Sequence, residues 1–274
     1  LTQTDLITAV TTLVPDFTVS ATSGTAPLSV TFTDTSTQSP TAWEWDFEND
    51  ATVDSTVQNP NHTYTTPGTY TVRMTATNEA GSATETKTSF VTVFEPVVAN
   101  FTRTPTNGIA PLLVTFTNTS TGATSYQWDF DDDGNVDSTD TSPTFNYTVS
   151  GTYNVTLTAT GPGGVDVFEF TNCVQVFGAV AASFTMTVSS SPITSAYSTT
   201  SITFTSTSTG SISSYAWDFD NVPGTTESTA ATTSRTFSSV TTSETTTVFT
   251  IRLTVSGPGG SSFLTINTAR ETYD

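Results

Sequence analysis

The segment Asp129-Phe130-Asp131-Asp132-Asp133-Gly134-Asn135-Val136-Asp137 is the densest run of hard oxygen donors in the sequence. Carboxylates at alternating positions, a glycine at the sixth, then Asn and Asp, follow the first part of a calcium loop. Calcium takes six to eight oxygens, and alternating side chains around a tight turn can converge on one point. The expected ligands are Asp129, Asp131, Asp133, Asn135 and Asp137, with Asp140 at the twelfth position, where a bidentate Glu is usual. No helix is expected to follow, so this is a calcium-loop look-alike on a β-hairpin. A weaker version, Asp46, Glu48, Asp50, Thr52 and Asp54, has Ala51 in place of the glycine. A third keeps Asp218 and Asp220 and then runs into Asn221-Val222-Pro223-Gly224, losing the pattern. The competing reading is structural: Asp46, Asp129 and Asp218 hydrogen-bond turn backbone, as Asp does in Asx-turns, and the remaining acids are solvated. Ca2+ is the one cofactor these residues suggest.

Other chemistry lacks its parts. The single histidine, His62, lies in a turn-like Asn-Pro-Asn-His-Thr-Tyr segment, where a structural hydrogen bond is the better reading. Without a second His or a Cys partner there is no zinc tetrad and no His-based nucleophile triad. Carboxylate pairs for glycoside cleavage exist in number but cluster in turns. Gly161-Pro162-Gly163-Gly164 joins two strands and lacks the Lys and helix of a phosphate-binding loop. No catalytic residue is expected, and the chain reads as a non-enzyme.

Charge excludes further classes. Twenty-five acidic residues against six basic ones give a formal charge of −19. Nucleic-acid binding depends on Lys and Arg neutralising phosphates, and here they are scarce and scattered, so no nucleic-acid partner is expected. An anionic membrane surface repels such a chain, and no apolar run reaches the length of a span, so no direct membrane insertion is expected. The lone Cys173 sits in an apolar run and reads as a small buried hydrophobe. The chain begins at Leu1 with no intact signal peptide, which suggests a processed form or a fragment.

The elements that must position the acidic turns repeat three times. Trp45-Asp46-Phe47, Trp128-Asp129-Phe130 and Trp217-Asp218-Phe219 are spaced 83 and 89 residues apart. Val30-Thr31-Phe32, Val114-Thr115-Phe116 and Ile202-Thr203-Phe204 precede them; Tyr70-Thr71-Val72, Tyr153-Asn154-Val155 and Phe249-Thr250-Ile251 follow. Apolar and Thr/Ser residues alternate through each run, the period of strands with one buried and one wet face. The pairs Trp45/Phe47, Trp128/Phe130 and Trp217/Phe219, each with an aromatic two residues earlier, are expected to supply the core. Pro67-Gly68, Ser150-Gly151 and the two Gly-Pro-Gly-Gly segments supply hairpin turns. Such punctuation predicts an all-β chain of three tandem seven-stranded immunoglobulin-like sandwiches in an extended rod. The boundaries are an N-terminal arm over 1–14 and domains over 15–95, 96–178 and 179–274, the last divergent.

Trp-Asp-Phe, then Asn59-Pro60-Asn61-His62-Thr63-Tyr64, then Pro67-Gly68-Thr69-Tyr70-Thr71-Val72 closely resembles the PKD repeat family (polycystic kidney disease-type domains). Gly24-Thr25-Ala26-Pro27-Leu28 and Gly108-Ile109-Ala110-Pro111-Leu112 match that family's opening. The third copy keeps Trp-Asp-Phe and Gly-Pro-Gly-Gly but replaces the middle motifs with a Thr/Ser-rich stretch over 229–247. The resemblance implies a non-catalytic spacer, adhesion or interaction module of secreted, surface or virion proteins. It leaves three roles open: a surface-layer, filament or stalk component; a phage capsid decoration or fibre; the accessory substrate-binding part of a secreted hydrolase. The setting is extracellular, on a cell or virion surface, with protein partners or copies of the chain itself.

Short joints, Glu95-Pro96 and Gly178-Ala179, predict stiff connections. The arm, with Leu6, Val10, Leu13 and Val14 at helical spacing after Thr4-Asp5, is either helical or extended, and it either adds a strand to a neighbour's sheet, packs on the first copy, or is the tail of an upstream domain. Asn61, Asn100, Asn118, Asn146 and Asn154 head glycosylation sequons.

Overall fold

Alternation becomes strand pairing in the computed structural model, which describes residues 12–190, 197–219, 226–240 and 248–269. Module 1 holds β1 (Phe17–Val19), β2 (Ser23–Thr25), β3 (Leu28–Asp34), β4 (Ala42–Asp46), β5 (Asn61–Tyr64), β6 (Gly68–Asn78) and β7 (Gly81–Phe94). Module 2 repeats them as β8 (Phe101–Thr104), β9 (Asn107–Ile109), β10 (Leu112–Asn118), β11 (Ser125–Asp129), β12 (Thr144–Tyr147), β13 (Gly151–Gly161) and β14 (Gly164–Phe177). Module 3 has β15 (Phe184–Ser190), β16 (Tyr197–Ser206), β17 (Ser214–Asp218), β18 (Thr232–Val240), β19 (Val248–Gly257) and β20 (Gly260–Ala269).

Each module is two sheets face to face. In module 1 one sheet is ordered β1-β3-β5 and the other β2-β7-β6-β4; module 2 repeats this as β8-β10-β12 and β9-β14-β13-β11. Module 3 shows β15-β16-β18 and β17-β19-β20, with no counterpart of β2 among the described residues. Every pairing is antiparallel except the short parallel contacts β2–β7 and β9–β14. The fold class expected from the alternation is the one found. The Thr/Ser-rich stretch of module 3 supplies β18, which pairs with β16 where β5 pairs with β3.

The core follows strand parity. Val30 and Phe32 of β3 are buried while Ser29, Thr31 and Thr33 between and beside them face water. Trp45, Trp128 and Trp217 are each fully buried, and Phe47, Phe130 and Phe219 nearly so. A ring from the first strand meets each tryptophan edge-on: Phe17, Phe101 and Phe184 at 5.2, 5.1 and 5.1 Å between centroids. Burying one such ring is worth roughly 4–6 kcal/mol, so a few of them dominate a core this small. Cys173 is 1% exposed, and burial pushes its thiol up to about 11.

The arm boundary moves. Leu13 is buried in the core of module 1 and Val14 bridges Thr37, so these two residues belong to the sandwich rather than to the arm. Val98–Thr121 and Ala181–Thr209 make the same bridge in modules 2 and 3. The helix-or-strand question for the arm falls on residues 1–11, outside the described residues.

Candidate metal centre

One fold-back follows the tryptophan strand in each module. The chain leaves that strand and returns so that Ser55, Ser138 and Ser228 bridge Trp45, Trp128 and Trp217; in module 3 the turn itself, 220–225, lies outside the described residues. Each indole nitrogen donates to a carbonyl further along the loop: Val57 at 2.9 Å, Asp140 at 2.9 Å and Ala230 at 2.8 Å. Buried tryptophan N–H groups need such a partner, and here it anchors the loop's end.

The loop's inner donors are satisfied by carboxylates. Asp129 Oδ1 accepts from the Asp132 amide at 2.7 Å and Oδ2 from the Gly134 amide at 2.9 Å, with Gly134 at φ +84°. Asp46 holds the Asp50 and Ala51 amides in the same way, at 3.1 and 3.0 Å. Ala51 sits at φ +71°, a left-handed position that strains any residue with a Cβ, which is the physical sense of a glycine at that point of module 2. The residue before each bridging serine caps the phenylalanine amide: Asp54 to Phe47 at 2.8 Å, Asp137 to Phe130 at 2.7 Å, and Glu227 to Phe219. The Asx-turn reading of Asp46 and Asp129 is therefore correct, and it leaves each carboxylate with lone pairs to spare.

Of the nine acidic or amide ligands expected from spacing, the fold gathers six. Asp129, Asp131 and Asp137 bring one oxygen each to within 4.8 Å of one another, as do Asp46, Glu48 and Asp54. Asp133 and Asn135 turn on each other instead: Asp133 accepts the Asn135 amide at 2.8 Å and its side-chain nitrogen at 3.0 Å. Asp50 accepts the Thr52 amide at 2.8 Å and is not one of the module 1 group. Asp220 lies outside the described residues. Glu227 was not anticipated, although Asp54-Ser55, Asp137-Ser138 and Glu227-Ser228 share an acid–serine pair that marks the position.

What faces the acids differs between modules. Across the sheet, the Trp-Asp-Phe aspartates Asp46, Asp129 and Asp218 register against Arg73, Thr156 and Arg252. On the phenylalanine ring, the equivalent positions of β5, β12 and β18 carry His62, Phe145 and Arg235. Modules 1 and 3 thus place basic side chains there, Arg73 and His62 in one and Arg252 and Arg235 in the other. Arg73 is 3.6 Å from Asp46, and Arg235 is 2.7 Å from Glu227 and stacks over Phe219. Module 2 has Thr156 and Phe145 there, and no ion pair among its described residues. Burial, then the charges of Asp133, Asp137 and Asp129, holds the Asp131 carboxyl above its ordinary range.

In module 1 the group closes on a proton. His62 Nε2 lies 3.0 Å from Glu48 Oε1, and its ring stacks on Phe47 at 4.4 Å. Burial, then the Asp54 charge, pushes Glu48 up to about 7, while burial lowers His62. Both directions weaken an ion pair and favour a neutral contact between Glu48 and His62. An acid raised above its ordinary value near 4.5 adds stability that is complete below that value and fades as pH rises through about 7. His62 acts oppositely, its contribution fading as pH falls below the ordinary histidine range. The melting temperature of module 1 is therefore expected to fall between pH 6 and pH 8, and to stay level in Glu48→Gln. Equal slopes in the two proteins, measured by calorimetry, would refute the assignment.

The remaining candidates are spread over the surface. Asn61, Asn100 and Asn146 are exposed, whereas Asn118 accepts the Ser120 amide at 2.9 Å and Asn154 closes a β-bulge by accepting the Asn172 amide at 2.9 Å. Each described basic side chain is already engaged: besides Arg73 and Arg235, Lys87 pairs with Asp16 at 2.7 Å, and Arg103 and Arg252 stack on Phe170 and Phe263.

Comparison with known proteins agrees with this geometry. Among solved structures, the I-band fragment I67–I69 from titin matches with a TM-score of 0.55 at 14% identity, over 94% of this chain and 98% of that one. The three N-terminal domains of the bacteriophage RB49 Highly Immunogenic Outer Capsid protein (Hoc) match at a TM-score of 0.33 and 11% identity, over 96% and 100% of the two chains. The sequence profile of the PKD domain matches residues 12–93 and 95–176, which is more than half of the chain and coincides with modules 1 and 2. The acidic turns are thus loops on immunoglobulin-like sandwiches, and the chain belongs to the PKD domain family.

Proposed function

We propose that the chain is a non-catalytic extracellular spacer, a surface-layer, filament or stalk component whose modules set reach and present a contact surface to other proteins or to copies of itself. The observation that carries this reading is the threefold use of one closed sandwich, with its Trp-Asp-Phe aromatics buried and Asp46 and Asp129 holding turn backbone. A chain of −19 formal charge stays soluble and avoids phosphate-bearing partners. Among the described residues no helix is long and apolar enough to cross a membrane. Exposed aromatics arranged as a row would favour a polymer-binding role, and among the described residues Phe263 is the one aromatic of the large exposed hydrophobics.

Module 2 is the part we assign to calcium, through Asp129, Asp131 and Asp137. The donor set is carboxylate alone, which suits a hard cation, and the fold offers no protein cation in its place. The acids of module 1 and of module 3 meet Arg73, His62 and Arg235 instead. Exposed sequons at Asn61, Asn100 and Asn146 fit an extracellular setting in an organism that glycosylates, and intact mass reads their use.

Antibody fragments raised against module 2, imaged by electron microscopy on the native source, test the function. Regular labelling of an outer cellular layer or of filaments is the expected result. Labelling confined to virus particles would replace it with the capsid-decoration alternative, and labelling inside cells would overturn both.

A further inference from the structure

The two joints between modules are built alike, although their linker sequences differ. At the first, the module 2 hairpin Gly161–Gly164 lies against Glu95-Pro96, and a Cβ added to Gly163 would overlap the Glu95 carbonyl oxygen. At the second, the hairpin Gly257–Gly260 lies against Gly178-Ala179, and a Cβ on Gly259 would overlap the Gly178 carbonyl oxygen. The loop after the bridging threonine takes part as well. Gly122 sits at φ +68° against the Pro96 carbonyl, and Gly210 at φ +100° against that of Ala179.

Hydrogen bonds close both contacts. Thr25 Oγ1 of module 1 donates to the Gly163 carbonyl at 2.8 Å. The Ser211 amide donates to the Gly178 carbonyl at 3.1 Å, and the Gly178 amide donates to Ser211 Oγ at 3.0 Å. Backbone carbonyls seated against a hairpin this closely leave no room for a side chain between them.

Module 1 has the same hairpin and the same loop, and neither glycine. Register places Ala80 where Gly163 and Gly259 stand, between Asn78 and Gly81 in the hairpin closed by that pair. The threonine bridge places Gln38 where Gly122 and Gly210 stand, and Gln38 holds φ +71° without being glycine. The Asn78 side chain then donates to the Gln38 carbonyl at 2.8 Å, so this end of module 1 is closed by its own residues.

We infer that the hairpin-and-loop end of modules 2 and 3 is a socket for the exit segment of a preceding module of this kind, formed by missing side chains at Gly163 and Gly259, and that it locks neighbouring modules at a fixed angle. The same end of module 1 lacks the socket. Tandem domains otherwise move relative to one another by default, because the interfaces between them are small and polar. The inference concerns the joints themselves and holds whether the chain decorates a cell, a filament or a particle.

Distances between spin labels in the full chain test it. Labels on Thr84→Cys, Val167→Cys and Thr265→Cys report on the three modules in pairs, all three positions being exposed, while the native Cys173, 1% exposed, should stay unlabelled. The parent is expected to give narrow distance distributions across both joints. Gly163→Ala should roughly double the width across the first joint and leave the second unchanged; Gly259→Ala should do the converse. Ala80→Gly should change neither. Module melting temperatures should hold in both glycine variants, because the overlap is with linker backbone, the carbonyl of Glu95 or of Gly178. Thr25→Val, which leaves the hairpin untouched, should widen the first joint alone. Broad distributions in the parent, or unchanged ones in Gly163→Ala and Gly259→Ala, would overturn the inference.

Discussion

Replacing Trp128 by alanine should lower the melting transition of module 2 by about 12–40 °C and leave those of modules 1 and 3 in place. Truncating a buried aromatic in a core costs about 3–5 kcal/mol, through lost transfer free energy and the cavity left behind. For a domain of this size each kcal/mol moves the midpoint by about 4–8 °C. Total stability at about 0.05–0.15 kcal/mol per residue is of the same order as the loss, so this one change leaves module 2 partly unfolded near physiological temperature. Trp128 earns this weight by position. Phe101 meets it edge-on at 5.1 Å, Phe116 lies 5.7 Å away, Phe130 stacks at 5.8 Å, and its Nε1 donates to the Asp140 carbonyl at 2.9 Å. The last contact ties the core to the acidic loop, so the variant should also loosen residues 130–140. Calorimetry of the full chain supplies the test, with the other two modules as internal references. A shift below about 4 °C, or three transitions moving together, would show that the modules do not each stand on their own aromatic core.

Much of this was legible in the residues. A two-residue period with threonine on the wet face fixes both the strand and the direction its side chains point, so the alternation alone marks Val30, Phe32 and Val72 as core, and all three are buried. Three Trp-Asp-Phe segments at nearly equal spacing made the domain count visible. The counter-charges were not legible, because they arrive across the sheet. Arg73 and Thr156 face Asp46 and Asp129 only once strand register is known. His62, Phe145 and Arg235 follow their tryptophans at separations of 17, 17 and 18 residues, so the one-residue difference in module 3 hides the equivalence. Asp133 and Asn135 show the opposite failure. Alternation along a loop puts side chains on one side only if the backbone stays regular, and here Asp132 at φ +60° turns the chain so that the two residues bond each other. The joint glycines looked like ordinary turn residues, since what they accommodate lies in the preceding module.

Calcium in excess should raise the module 2 transition by roughly 10–20 °C over a chelated sample, and the reason lies in what the fold omits. Three carboxylates with oxygens within 4.8 Å of one another repel by about 1 kcal/mol per pair even in a water-like dielectric. Module 1 relieves that repulsion with Arg73 beside Asp46, and in module 3 Arg235 pairs with Glu227, whereas module 2 presents Thr156 and Phe145. A ligand at a hundred times its Kd stabilises the folded state by about 2.7 kcal/mol, which gives the stated shift in a domain of this size. Asp131→Asn separates a cation site from a merely acidic loop. It should abolish the calcium response, and it should melt higher than the parent in chelator, because a charge held against its neighbours has been removed. Thr156→Arg should act the same way by a different route, bringing a guanidinium to Asp129 as Arg73 comes to Asp46 at 3.6 Å. It should raise the metal-free transition and blunt the response to calcium. The transitions of modules 1 and 3 should move little in any of these samples, since their acids already face protein cations. Coincident module 2 transitions in calcium and in chelator would remove the assignment and leave Asp129, Asp131 and Asp137 as turn residues that tolerate their own repulsion.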